Sequence, residues 1–181
     1  NFLAVEDTVD WKQYDDYAVY QNSTLMGAFG IAQTIKLNTK SFIKTSIAVM
    51  GQQIKWVDDT LTKQQVATKV NDELYNNNRV SATVSFNHKV NTVINFKAGM
   101  YASLLDYKFN KGEWNYSNNS FKPNVIMGEG NSWLLQPYLQ FGLKPNNRIL
   151  INPGVHTMYF ALNKQFVVDP RLSVQYRFSA K

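Results

Sequence analysis

The chain contains no cysteine, which excludes both a disulfide frame and a thiolate metal site. The metal-binding types that remain are two histidines and thirteen acids, and none stands at the spacing of a zinc or calcium motif. The adjacent acids Asp15-Asp16 and Asp58-Asp59 lack the alternation of a calcium loop and read as solvated carboxylates. No apolar run approaches the ~18 residues of a membrane helix. That absence leaves a membrane barrel open, because barrel strands alternate and need only about ten residues each. With neither a nucleophile elbow nor a Glu-containing zinc motif, the chain reads as no enzyme, and no cofactor is implied. Its basic residues do not run together with stacking aromatics, so nucleic acid is not an expected partner. The chain opens on Asn1 rather than on a methionine, as expected of a processed protein or of a piece cut from a longer one.

What is present is β-sheet patterning. The 181 residues are 44% hydrophobic and 14% aromatic, too rich for disorder and enough for one domain. From Asn131 to Phe178 apolar residues recur at every second position. Trp133, Leu135, Pro137, Leu139, Phe141 and Leu143 alternate with Ser132, Gln136, Tyr138, Gln140 and Lys144, and Ile149, Ile151, Val155 and Tyr159 alternate with Asn152, Gly154, His156 and Met158. A period of two makes each run a strand. Opposed residues of an antiparallel pair share a face, so parity predicts a three-residue loop centred on Asn146. Trp133 would then face Tyr159, Phe141 would face Ile151, and the ring of Tyr138 would cover Gly154. A further run, Leu172, Val174, Tyr176 and Phe178 against Arg171, Ser173, Gln175 and Arg177, continues the sheet.

Residues 1–24 show no sustained period and read as a loop. Strand regions are expected at 25–57, 79–105, 131–160 and 170–178, with long polar connections at 58–78 and 106–130. Within the first region a turn falls at Thr39 to Ser41, and the apolar phase slips near Gly51 towards Ile54 and Trp56, which suggests a bulge. Within the second, His88, Lys89 and Val90 form the tip of a tight turn. The count is seven strands joined alternately by short turns and long loops, the habit of outer-membrane barrels.

Periodicity alone does not say whether the apolar face looks into a core or out into lipid. A soluble β-sandwich or lipocalin-like ligand-binding module would bury it. Three features favour lipid. Several runs span eleven or more residues, where soluble strands have about five or six. Aromatics mark the ends of the apolar face, Trp133 and Tyr159 at one end and Phe86 or Phe141 near the other. The short-turn ends carry Lys36, Lys40, Lys44, Lys89, Lys144 and Arg148 without one acid. The fold class expected is therefore all-β, an antiparallel up-and-down transmembrane β-barrel. Seven is odd and single-chain bacterial barrels close with an even number, so the chain is expected to form an open part of a larger barrel.

Candidate ligand contacts follow from facing. Gln136, Tyr138, Gln140, His156 and Arg171 fall on the polar, lumen-facing side, and Trp114 and Tyr116 in the connection at 106–130 offer rings for stacking on a ligand. Each has a plainer reading, a hydrated wall for the first group and loop packing for the second.

The run from Asn131 to Phe178 resembles the barrel of TonB-dependent outer-membrane receptors of the Bacteroidetes type. The matching features are Trp133-Leu134-Leu135-Gln136-Pro137-Tyr138, the turn Lys144-Pro145-Asn146-Asn147-Arg148, the strand Ile151-Asn152-Pro153-Gly154-Val155-His156 with Tyr159-Phe160 after it, and Asp169-Pro170-Arg171. The first 130 residues share only the generic pattern. The resemblance implies a barrel of about 22 strands in the cell outer membrane, importing a nutrient such as a siderophore, glycan or peptide. It also implies partners: outer-membrane lipid, the rest of the barrel and its plug, a TonB-type energising protein reached through parts outside this chain, and a surface lipoprotein.

Overall fold

The computed structural model describes residues 11–13 and 16–178. Seven strands, β1 (Ala18–Asn38), β2 (Ser41–Leu61), β3 (Ala67–Lys89), β4 (Ile94–Asn115), β5 (Ser120–Asn146), β6 (Ile149–Phe160) and β7 (Gln165–Tyr176), form one antiparallel sheet. Each strand is bonded to its neighbours in sequence, in the order β1 to β7, and no α-helix occurs among the described residues. The sheet is open, with β1 and β7 as its edges. The expected all-β, up-and-down arrangement of seven strands is thus the one observed.

The chain divides into two compact units. One comprises residues 28–49, 79–105 and 131–181 and contains twelve Lys and Arg against a single acid, Asp169. The other comprises residues 1–27, 50–78 and 106–130 and contains seven Lys and Arg against twelve acids. We call them the basic and the acidic unit.

In the basic unit the strands are amphipathic. β1 to β4 contribute stretches of about nine to twelve residues, β5 a longer one, and β6 and β7 twelve each. Between β6 and β7, Ile149 faces Tyr176, Ile151 faces Val174, and Tyr159 faces Phe166, while on the other side Asn152 faces Ser173, Gly154 faces Arg171 and His156 faces Asp169. The apolar side has no covering layer among the described residues. Phe29 is 74% exposed, Ile31 67%, Leu172 71% and Val174 63%, and the one fully buried hydrophobic residue among the described residues, Ala18, lies in the acidic unit. Near the short turns Phe86, His88, Phe96 and Phe141 make a run of ring contacts at 5.6 to 6.3 Å.

The turns are built by asparagines. Asn38, Asn91 and Asn146 each turn a side-chain oxygen back to accept backbone N–H groups two or three residues ahead, at 2.8 to 3.0 Å, the local bond that makes Asn a turn former. This chemistry corrects the expected hairpin. The turn between β5 and β6 holds two residues, and a bulge between Leu143 and Asn146 absorbs the difference. The register is consequently two residues from the predicted one: Leu135 faces Tyr159, Tyr138 faces His156, and Leu143 faces Ile151. A shift of two preserves parity, so every side chain keeps its expected face. Asn91 likewise places the tight turn at 90–93, leaving His88 within β3, where its Nδ1 meets Ser41 Oγ at 2.7 Å. The last strand begins at Gln165 rather than at 170, after a turn closed by Lys164 at φ 55°.

The acidic unit corrects the sequence reading more deeply. Residues 18–24, 58–61, 67–78, 106–115 and 120–130 lie in strands, so the expected loops at 58–78 and 106–130 shrink to the turns at 62–66 and 116–119. Polar residues on both faces hide the period of two, but they pair across strands all the same. Gln53 donates to Asn76 at 2.9 Å, Asn71 to Asp58 at 3.1 Å, and Asn110 to Asn124 at 2.7 Å. In the basic unit Ser41 meets His88 and Ser46 meets Thr83, and the pairs Gln53–Asn76 and Asp58–Asn71 in the acidic unit keep the same register. The apolar slip past Gly51 is therefore an exchange of which face is apolar, not the expected bulge.

Candidate functional site

Four strands of the basic unit, β4 to β7, bring their polar faces together around a groove of about 480 Å³. It is lined by Gln136, Tyr138 and Gln140 of β5, Asn152 and His156 of β6, and Arg171 and Ser173 of β7, with Lys97 and Tyr101 of β4 closing the far side. The alternation that exposes apolar residues on one face is what places these polar ones on the other.

Tyr138 is the fixed centre of the groove. Its ring lies on Gly99 of β4, where a Cβ would come within 2.6 Å of the ring and of the Val84 carbonyl oxygen. Glycine is required there because any side chain would collide with rigid neighbours. The ring thus covers the backbone of β4 rather than Gly154, as expected from sequence, and Gly154 sits against the backbone of Leu139 and Gln140. Tyr101 stacks on Tyr138 with centroids 5.4 Å apart, and the Lys97 ammonium stands 5.3 Å from the centre of the Tyr138 ring. That is the geometry of a cation over an aromatic face.

Across the ladder from Tyr138 come His156 and then Asp169. Asp169 accepts from Arg171 through one oxygen, with Nη2 at 2.6 Å and Nε at 2.7 Å. Both groups remain about half exposed, so the pair adds little to stability. Its consequence is electrostatic: the one carboxylate of the basic unit is already bound to a cation. No carboxylate pairs with Lys97 among the described residues.

Five of the seven candidates from the sequence, Gln136, Tyr138, Gln140, His156 and Arg171, thus line one groove. Trp114 and Tyr116 belong to the acidic unit and are not part of it, Trp114 half-buried at the end of β4 and Tyr116 77% exposed in the following turn. Asn152 and Ser173 were not among the candidates, and neither were Lys97 and Tyr101. For the last two the signal was available in parity, since they occupy the non-apolar positions of the strand containing Phe96, Ala98, Met100 and Ala102.

The acidic unit has its own ordered cluster. Lys111 reaches Glu73 at 2.9 Å, Tyr75 donates to the same carboxylate at 2.9 Å, and Tyr75 stacks on Phe109 at 4.6 Å. The hydrogen bond from Lys111 holds the Glu73 carboxyl below its ordinary pKa, and the reciprocal bond raises that of Lys111. No group of three or more metal-ligating side chains is gathered among the described residues. Comparison with protein-family models, with curated proteins and with solved structures finds no match.

Proposed function

We propose that the chain is a wall segment of a larger outer-membrane barrel of the TonB-dependent receptor kind, serving nutrient import and carrying out no chemistry of its own. The observation that carries this reading is the uncovered apolar face of the basic unit. Phe29, Ile31, Ile47, Trp133, Phe166, Val168 and Leu172 are all at least half exposed, on strands whose stretches there are at least as long as the ~9 residues that cross a bilayer. A water-soluble sheet needs a second layer over such a face, and none exists among the described residues. A lipid phase supplies that layer.

The open edges support the larger barrel. In hydrocarbon each unpaired backbone group at the edge of β1 or β7 costs several kcal/mol, and neighbouring strands of a closed wall satisfy them. The rings of Phe86, Phe96 and Phe141 near the short turns suit one interfacial belt, and Trp133 with Tyr159 suits the other. The polar groove would then face the lumen, where Gln136, Tyr138, Gln140, His156 and Arg171 meet a passing ligand or the plug. The resemblance of residues 131–178 to the receptor family points the same way.

Cell fractionation of the full-length gene product tests the proposal. Recovery in the outer-membrane fraction, released only by detergent, is the expected outcome. A soluble monomer with the apolar face buried would establish the β-sandwich or lipocalin-like alternative instead.

A further inference from the structure

The polar face of the basic unit is almost entirely of one sign. By strand parity it carries Lys36, Lys44, Lys97, Lys144, Arg171 and Arg177, and the only carboxylate, Asp169, is held by Arg171 at 2.6 Å. Such a face raises the local concentration of anions. Within it the groove adds three further features. Its Lys97 ammonium has an aromatic ring on one side and no carboxylate partner among the described residues. Its stacked pair Tyr101 and Tyr138, anchored on Gly99, offers a preorganised flat surface. Its amides, Gln136, Gln140 and Asn152, supply both donors and acceptors around the rim. A volume of about 480 Å³ suits a small molecule rather than a protein segment.

We propose that this groove is a binding site for a small anion, a carboxylate or phosphate carried on a hydroxylated sugar-like ring whose C–H face can lie on an aromatic. Lys97 and the free side of Arg171 hold the anion, the tyrosines meet the face of the ring, and the amides bond its hydroxyls. This deepens the import reading by naming a ligand chemistry, but it stands on the polar face alone. The membrane reading concerns the opposite face and is settled by fractionation.

The pair Asp169–Arg171 gives the proposal a signature that a merely structural role would not produce. Asp169 competes with the ligand for Arg171, so removing its charge strengthens anion binding, while removing the charge of Lys97 weakens it.

The test is calorimetric titration of the full-length, detergent-purified protein at low salt with three probes: sodium glucuronate, glucose and inorganic phosphate. Glucuronate is expected to bind more tightly than either of the others, because only it offers ring and charge together. Lys97→Gln is expected to lower glucuronate affinity by roughly tenfold or more, the worth of one charge-assisted hydrogen bond, and Asp169→Asn to raise it. Heat-modifiable migration on gels confirms that both variants are folded. Glucose binding as tightly as glucuronate would overturn the anion assignment, and phosphate binding as tightly would overturn the role of the ring. No glucuronate binding by the folded protein, or the same affinity in both variants as in the parent, would overturn the site.

Discussion

At Gly99 a single methyl group meets the Tyr138 ring and the Val84 carbonyl oxygen at once. Gly99→Ala is therefore expected to destabilise the protein by about 1–3 kcal/mol, the usual cost of overpacking, seen as a lower midpoint in urea unfolding from detergent. Tyr138→Ala in the same background should restore only part of the loss, because the Val84 oxygen is backbone and stays in place. Residues one step apart give a second contrast. Leu139 pairs with Val155 on the apolar face, while Gln140 pairs with Gly154 and lines the groove. If the apolar face meets lipid as proposed, Leu139→Arg places a charge in hydrocarbon at about 2–4 kcal/mol, whereas Gln140→Arg adds one more cation to a hydrated wall. Folded yield after insertion into vesicles should fall for the first and hold for the second. Equal losses would contradict the facing.

At the scale of elements, the ion pair between β3 and β4 is a pH-dependent tie. The Glu73 carboxyl is held below its ordinary pKa by Lys111, so its contribution is fully present above the ordinary carboxylate range and is lost as pH falls through the lowered value. Protection of the amides in residues 67–78 and 106–115, measured against their intrinsic exchange rate at each pH, is expected to fall on acidification, and Glu73→Gln should show the lower protection already at neutral pH and little further change. These same elements mark where the sequence misleads. In β5 and β6 one face is apolar, so alternation is visible in Leu139, Phe141, Ile149 and Ile151. Between Asp58 and Asn78 both faces are polar and the period of two has no contrast to show, although Gln53, Asn71 and Asn76 pair across the strands as a ladder requires. Register failed for a related reason. Parity constrains it only to steps of two, and the choice between steps was made by the side chain of Asn146, whose bonds to the N–H groups of Arg148 and Ile149 no hydrophobic pattern encodes. Facing, which depends on parity alone, was legible in β5 from Asn131 onward and throughout β6. Five of the site residues were found for that reason, while Lys97 and Tyr101, which obey the same parity in β4, were not joined to them.

For the whole molecule the central claim is that one face of the basic unit meets lipid and the other meets water. Charge agrees with that division, since the basic unit keeps its single acid, Asp169, on the polar face and paired to Arg171, and most of its exposed large side chains on the other, Tyr101 and Val167 excepted. The absence of cysteine makes the claim directly measurable, because each introduced cysteine is unique in this segment and spin labelling there is unambiguous. The deciding measurement is a scan of single cysteines along 134–141 of β5 in the full-length protein reconstituted in bilayers, reading collision of the label with oxygen, which concentrates in lipid, against a water-soluble nickel chelate. The account requires a period of two, with labels at Leu135, Leu139 and Phe141 favouring oxygen and those at Gln136, Tyr138 and Gln140 favouring the chelate. Uniform access to the chelate, or exclusion of both reagents from the odd positions as in a protein core, would contradict it.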